Sequence, residues 1–398
     1  MSVRKVWYAP NMKQAYNEEE IEAVKQCLED GWLAPGPRTA EFEKQVCAKF
    51  GKKFGLFVNS GSSANMLAYI SAGISQGVEV ITPACTFSTT VAPLVQLGAD
   101  VKFCDVHPNC YIPTVDQVLT RLSSNTKAIV IPNLLGNKPD WKQLRERLNQ
   151  MGRSDIILIE DSCDTMTYTE ITDIATCSFY ASHIITAGGG GGIVMFNDQK
   201  QYGKALCIRD WGRAGSNSEE FGERFNHGLI DGIQYDWKFI YCEFGYNFKS
   251  SEMNAAFGLV QMKKLPEFER KRASLMQRYL NTLKSNEYAS KYYKFPQTVV
   301  DEQILWLAFP LACADRTAII EHLEKNQIQT RVTMAGNILR HPIYAKKFEE
   351  EAKIGFPVSD QVMREGFLVG CHHGLTEEDV DRVCAVLIEF AQERLSKQ

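Results

Sequence analysis

The sequence predicts an α/β protein with a large domain on a mixed, mostly parallel sheet, residues 1–262, then a linking helix and a smaller C-terminal α+β domain, residues 263–398. Three observations carry this. Short apolar runs alternate with helix-length segments between residues 55 and 195. A polar or aromatic residue stands just after several of those runs. Beyond a long charged helix the rhythm changes to a mixed strand and helix pattern. At 398 residues, 44% of them hydrophobic and 23% charged, the chain can bury such a core.

In chain order, NEEEIEAVKQCLED (17–30) places Ile21, Val24 and Leu28 at helical spacing and stops at Gly31. The strands are GLFV (55–58), VEVIT (78–82), VKFCDV (101–106), AIVIP (128–132) and DIILIED (155–161). Intervening segments such as SSANMLAYISAG (62–73) and WKQLRERLNQM (141–151) have helix length. A charged amphipathic helix is expected over 262–285. It is followed by WLAFPL (306–311), the helical ADRTAIIEHLEKN (314–326), IQTRV (328–332) and a closing helix, TEEDVDRVCAVLIEFAQERL (376–395). Sheets of this kind bind ligands at the carboxyl ends of their strands. That draws attention to Asn59-Ser60-Gly61-Ser62-Ser63, Phe87 and Glu160-Asp161.

A net charge of −4 without a basic run gives no argument for nucleic acid or an anionic membrane, so a small-molecule partner is expected. Twelve cysteines stand singly, without a CxxC pair or zinc-type spacing, and read as reduced thiols of a cytoplasmic protein; no metal site is expected. The opening residues lack an apolar signal core, and no stretch reaches the ~20 apolar residues that span a bilayer.

Ser60-Gly61-Ser62-Ser63, opening a helix after a strand, can cradle an anion on free N–H groups, or can simply cap the helix. Asp161 can pair with a protonated ring nitrogen or cap a helix; Phe87 can stack on a ring or serve as core. Ser178 and His183 lie just before five consecutive glycines, 188–192, in what reads as a loop. Imidazole is the natural proton carrier near neutral pH, though a single histidine is as readily structural.

Together, DGWLAPGP, NSGSSAN, ITPACTFSTT, IEDSCD, SFYASH, GYNFKSSEMNAA, TRVTMAGNILRHPIY and VGCHHGLTEEDVDRV resemble, in order and over nearly the whole chain, the DegT/DnrJ/StrS family of nucleotide-sugar aminotransferases. The resemblance implies the aspartate-aminotransferase-like fold (PLP fold type I) and a pyridoxal or pyridoxamine 5′-phosphate cofactor. It assigns Asp161 to the pyridine nitrogen, Ser62, Ser63 and Ser178 to the phosphate, Phe87 to ring stacking and Asp164 to the ring face. Asn247 is implied to reach the phosphate of a neighbouring subunit, in a homodimer with shared active sites. Arg331, Asn337 and Arg340 are candidates for a diphosphate or sugar.

Residue 183 departs from the ordinary family pattern: histidine stands where the lysine that carries the cofactor is found. Histidine cannot form that Schiff base. This resembles the 3-dehydratase branch, whose members hold pyridoxamine phosphate non-covalently and remove the C3 hydroxyl of a nucleotide-linked 4-keto-6-deoxy sugar, with CDP and GDP as leading nucleotides. Catalytic roles are implied for His183 and Asp161. Some of that branch carry a [2Fe–2S] cluster on four cysteines; Cys163 matches the first, but the loop AGSNSEEFGERFNHG (214–228) supplies none of the others, so no cluster is expected. Without one, an amino donor such as glutamate would restore the cofactor. The chain also lacks the usual Glu of the Gly-rich segment, having only glycine at 188–192, and its 164–177 segment is short. A non-catalytic binder of cofactor or nucleotide sugar, or a related pyridoxamine-dependent sugar reaction, are the alternatives.

Overall fold

The computed structural model describes residues 4–11, 14–214, 220–226 and 229–397. Within the 214–228 loop discussed above, residues 215–219 and 227–228 lie outside those described. Seven strands form the main sheet: β1 (Phe54–Val58), β2 (Glu79–Pro83), β3 (Asp100–Cys104), β4 (Thr126–Pro132), β5 (Ile157–Asp161), β6 (Ile174–Ser178) and β7 (Gly192–Phe196). Their order is β1-β7-β6-β5-β4-β2-β3. All neighbours are parallel except at β7, which runs antiparallel to both β1 and β6. Helices cover the sheet, and β2, β6 and β7 are buried along their whole length. Burial on both faces leaves no polar alternation, so IATCS and GIVMF give no period-2 signal. Ser178, expected in a loop, in fact ends β6.

A two-stranded hairpin, β8 (Leu229–Ile230) and β9 (Ile233–Gln234), follows, and then a small antiparallel sheet of β10 (Ala308–Ala312), β11 (Thr330–Val332) and β12 (Gly366–Gly370) in the order β10-β12-β11. The long helix joining the two sheets runs Glu252–Ser285, starting ten residues before the expected 262. Ser251 caps it by accepting from the Asn254 N–H, and Pro266 is tolerated inside it. The division drawn at 262/263 therefore falls within this helix.

The first helix, Glu18–Glu29, begins at a capping box of Asn17 and Glu20. Its buried face is not the expected one: Ile21 and Leu28 are exposed, whereas Glu20 and Cys27 are buried. Glu20 faces the long helix, where Lys264 donates to it at 2.8 Å and Gln261 at 2.7 Å. Among the described residues, no helix is long and apolar enough to cross a membrane.

Candidate active site

The carboxyl ends of β4, β5 and β6, the helix starts following β1 and β2, and part of the small sheet enclose a cavity of about 730 Å³. Its wall includes Ser60, Gly61, Ser62, Phe87, Asp161, Asp164, Ser178, His183 and Arg331. Remote segments meet here because successive strands of the main sheet deliver their last residues to one edge.

On one side, the chain leaves β1 and turns into the helix Gly61–Ser71. Ser60 caps that helix by accepting from the Ser63 N–H, so the first-turn amides of Gly61 and Ser62 have no intrahelical acceptor and add to the positive helix end. Glycine is required at residue 61: a Cβ there would lie 2.7 Å from both Cys163 Sγ and Ser178 Cβ. The glycine loop closes the same wall, with Gly188, Gly189 and Gly191 at positive φ. Ser63 is placed differently from Ser62: its hydroxyl donates to Asn59 Oδ1 at 2.7 Å, and it does not line the cavity.

Asp161, buried at the end of β5, has both oxygens held. Oδ2 accepts from Asn65 Nδ2 at 2.8 Å and Thr90 Oγ1 at 2.7 Å, and Oδ1 accepts from the Cys163 N–H at 3.2 Å. These three contacts hold the side chain in one orientation. Asp164 Oδ2 accepts from the Leu135 N–H at 2.8 Å. Burial pushes its carboxyl up to about 7, with the Leu135 amide opposing and the neighbouring Asp161 charge adding to the rise. Phe87 stands half-exposed at the start of the helix Ser88–Gln96.

His183 follows β6 in a turn. Its Nδ1 lies 3.3 Å from the Ser178 carbonyl oxygen, which can only accept, so the proton sits on Nδ1 and Nε2 keeps a free lone pair. Part of the ring faces the cavity, yet it lies deep in the protein. Burial lowers its pKa from 6.5 to about 4; the Ser178 carbonyl and Asp161 oppose this, and Arg272 adds to it. At neutral pH the imidazole is uncharged and can accept a proton. Tyr180 meets its ring edge to face.

No lysine lines this cavity among the described residues; Arg331 is its one cationic side chain, stacked over Tyr8 at 5.3 Å. Lys249 and Asn247 line an adjoining cavity of about 480 Å³, which shares Asn59, Gly190 and Gly191 with the first. Lys249 there pairs with Asp210 at 3.0 Å. Asn337 and Arg340 do not reach the main cavity. Both donate to Asp360 of the helix Pro357–Glu365, at 2.7 and 2.6 Å, from the cap and the last residue of a short 3-10 turn, Ile338–Arg340, whose Ile338 and Leu339 are buried. Tyr8, Leu307, Met334 and Leu368 line the cavity and were not singled out from the sequence. Among the described residues, no three His, Cys, Asp or Glu side chains converge as a metal site.

These groups fit a phosphorylated pyridine. An anion finds free amides and hydroxyls at Gly61, Ser62 and Ser178, a ring nitrogen finds the held carboxylate of Asp161, and a ring face finds Phe87. A Cβ at residue 61 would fill that cradle.

Comparison with known proteins agrees. The chain is 30% identical to the lipopolysaccharide biosynthesis protein RfbH of Salmonella typhimurium, over 96% of this chain and 91% of that protein. It is 27% identical to the GDP-4-keto-6-deoxy-D-mannose 3-dehydratase of Escherichia coli O55:H7, over 95% and 99%. It superposes with a TM-score of 0.82 on a crystal structure of a GDP-4-keto-6-deoxymannose-3-dehydratase mutant with bound GDP-perosamine, at 26% identity over 95% of this chain and 100% of the other. Residues 14–388 match the model of one family, and the chain is a member of it: the DegT/DnrJ/EryC1/StrS aminotransferase family.

Proposed function

We propose that this protein is a pyridoxamine-phosphate-dependent 3-dehydratase, which removes the C3 hydroxyl of a nucleotide-linked 4-keto-6-deoxyhexose in deoxysugar biosynthesis. One observation carries the proposal: the cofactor space is lined by a neutral imidazole, His183, while Lys249 is ion-paired in the adjoining cavity. A member that moves amino groups needs an amine at that place. The similarity to 3-dehydratases over nearly the full chain supports the same reading.

When bound, pyridoxamine phosphate supplies an amine that captures the sugar carbonyl and a ring that draws off electrons. Gly61, Ser62 and Ser178 would hold its phosphate, and Phe87 its ring face. Asp161, fixed by Asn65, Thr90 and the Cys163 amide, would hold the proton on the ring nitrogen. His183 Nε2 removes a proton and then delivers it to the departing C3 oxygen; one group serves both steps because Nδ1 keeps its own proton, donated to the Ser178 carbonyl. Arg331, which lines the cavity, would meet the diphosphate. Glutamate is the proposed amino donor, and the enzyme works as a homodimer in which Asn247 completes the partner's phosphate site.

The test is incubation with pyridoxamine phosphate, glutamate and CDP- or GDP-4-keto-6-deoxyhexose, followed by mass spectrometry of the sugar. Loss of the C3 oxygen without added iron or reductase is expected. Transfer of an amino group to C4 with the oxygen retained would overturn the proposal, and tight cofactor binding without turnover would favour a binding role.

A further inference from the structure

Two of the twelve cysteines stand together away from the cavity. Cys207, in the last turns of the helix Gln199–Arg209, has its Sγ 3.4 Å from Sγ of Cys242. The first is half-buried and the second exposed. Their separation in sequence is 35 residues, so their meeting is a product of the fold.

The backbone around them is tightly set. Gly212 N donates to the Cys207 carbonyl at 2.8 Å, and Cys242 N donates to the Gly212 carbonyl at 2.9 Å. Trp211 N donates to the Tyr246 carbonyl at 2.8 Å, and Tyr246 N donates to the Ile208 carbonyl at 2.7 Å. Gly212 and Gly245 lie in such close contact that a Cβ on Gly245 would come within 2.0 Å of Gly212 N. A thiol pair on this frame has little freedom to separate. Formation of an S–S bond of about 2.0 Å needs a closure of little more than 1 Å, within reach of side-chain rotation.

We propose that Cys207 and Cys242 are a reversible redox pair, closing a disulfide across the base of segment 210–246 when a small-molecule disulfide such as glutathione disulfide supplies the oxidising equivalents. The exposed Cys242 thiolate attacks one sulfur of glutathione disulfide, breaking its S–S bond and releasing one glutathione. Cys207 then attacks the Cys242 sulfur and expels the second. Two protein thiols become one disulfide, and their protons end on the two glutathiones. Burial and the neighbouring thiol hold Cys207 above the ordinary thiol range, which makes Cys242 the point of first attack. The bond would tie the helix Gln199–Arg209 to the stretch that leads into Asn247, which itself bridges to Asp210.

The experiment exposes the holoenzyme to glutathione disulfide, blocks remaining thiols with an alkylating agent, and maps peptides without reduction. A peptide joining Cys207 to Cys242, the loss of two titratable thiols and full reversal by dithiothreitol are expected. C207S should instead accumulate a stable glutathione adduct on Cys242, and C242S should form neither product. A wild-type chain that keeps glutathione on Cys242, or keeps both thiols free over the range in which glutathione itself is oxidised, would overturn the proposal.

Discussion

An imidazole and a primary amine at residue 183 would give the same cavity different chemistry. In H183K the amine would stand within reach of the cofactor carbonyl, so borohydride reduction of the pyridoxal-phosphate-loaded variant should fix cofactor mass to residue 183, while C3 dehydration falls by at least about a hundredfold, the usual value of a positioned acid–base group. Dehydration at the wild-type rate would remove His183 from the mechanism. Asp164 offers a second test through stability. Its carboxyl is raised on folding from 3.8 to about 7, so the folded chain binds the proton more tightly than the unfolded chain. The contribution is present at low pH and is lost as pH rises through about 7. Asp164→Asn keeps an acceptor for the Leu135 amide without the charge, and should raise the melting temperature of the cofactor-free protein at pH 8 but not at pH 4. Equal shifts at both pH values would exclude the charge as the cause. Asp161 was legible in the sequence because it ends an apolar run, and strand ends are where such sheets place chemistry; Ser178 and His183 were marked instead by the glycine run that follows them and by the family resemblance. Tyr8, Leu307 and Leu368 were not legible, because long-range packing brings them in and nothing local marks them. Asn337 and Arg340 pair with Asp360 outside the main cavity, and in sequence a polar residue that meets a neighbouring helix looks like one that awaits a ligand.

Among the elements, the helix Pro37–Phe50 shows how remote the group that holds a helix end can be. It starts at Gly36, which has no side chain to cap it. Glu252, buried in the first turn of the long helix, does so instead: its carboxylate accepts from the Gly36, Arg38 and Thr39 amides at 2.7, 2.6 and 3.1 Å and from Thr39 Oγ1 at 2.6 Å. One buried carboxylate thus meets the positive ends of two helices, Pro37–Phe50 and its own. Glu252→Gln turns one acceptor oxygen into a donor facing N–H groups, and should cost about 2–3 kcal/mol in urea unfolding, the scale of a charged hydrogen bond lost with a buried group left unpaired. A loss below about 0.5 kcal/mol, the range of ordinary surface substitutions, would show that water replaces the contact. The first helix teaches the complementary point. Its apolar spacing announced a helix, but the buried face was fixed by Glu20 meeting Lys264 and Gln261, a pairing between residues over 240 positions apart. The same remoteness hid the true start of the long helix, whose first turn is defined by capping and by the Glu252 contacts rather than by amphipathic rhythm.

At the scale of the whole molecule, the single chain leaves much apolar surface uncovered between residues 229 and 239: Leu229, Ile230, Ile233, Tyr235 and Phe239 are all exposed. Soluble monomers rarely leave such surface bare when it is contiguous, and a symmetric dimer is the common way to cover it. Asn247 follows this segment and lines the adjoining cavity rather than the one that holds His183, which suits a side chain serving the other subunit. Subunit mixing separates the two arrangements. Chains carrying H183N are inactive for want of the base, and chains carrying N247A are impaired in holding the phosphate. In a mixed dimer with crossed sites, one site collects both defects and the other collects neither. Random re-association of equal amounts should therefore restore about a quarter of wild-type activity, since half the dimers are mixed and each has one intact site. If Asn247 instead serves its own chain, every site in the mixture keeps one defect, and activity stays at the average of the two mutants. Each mutant mixed with itself controls for the dissociation step and fixes that average, so activity above it can come only from a site built by two chains.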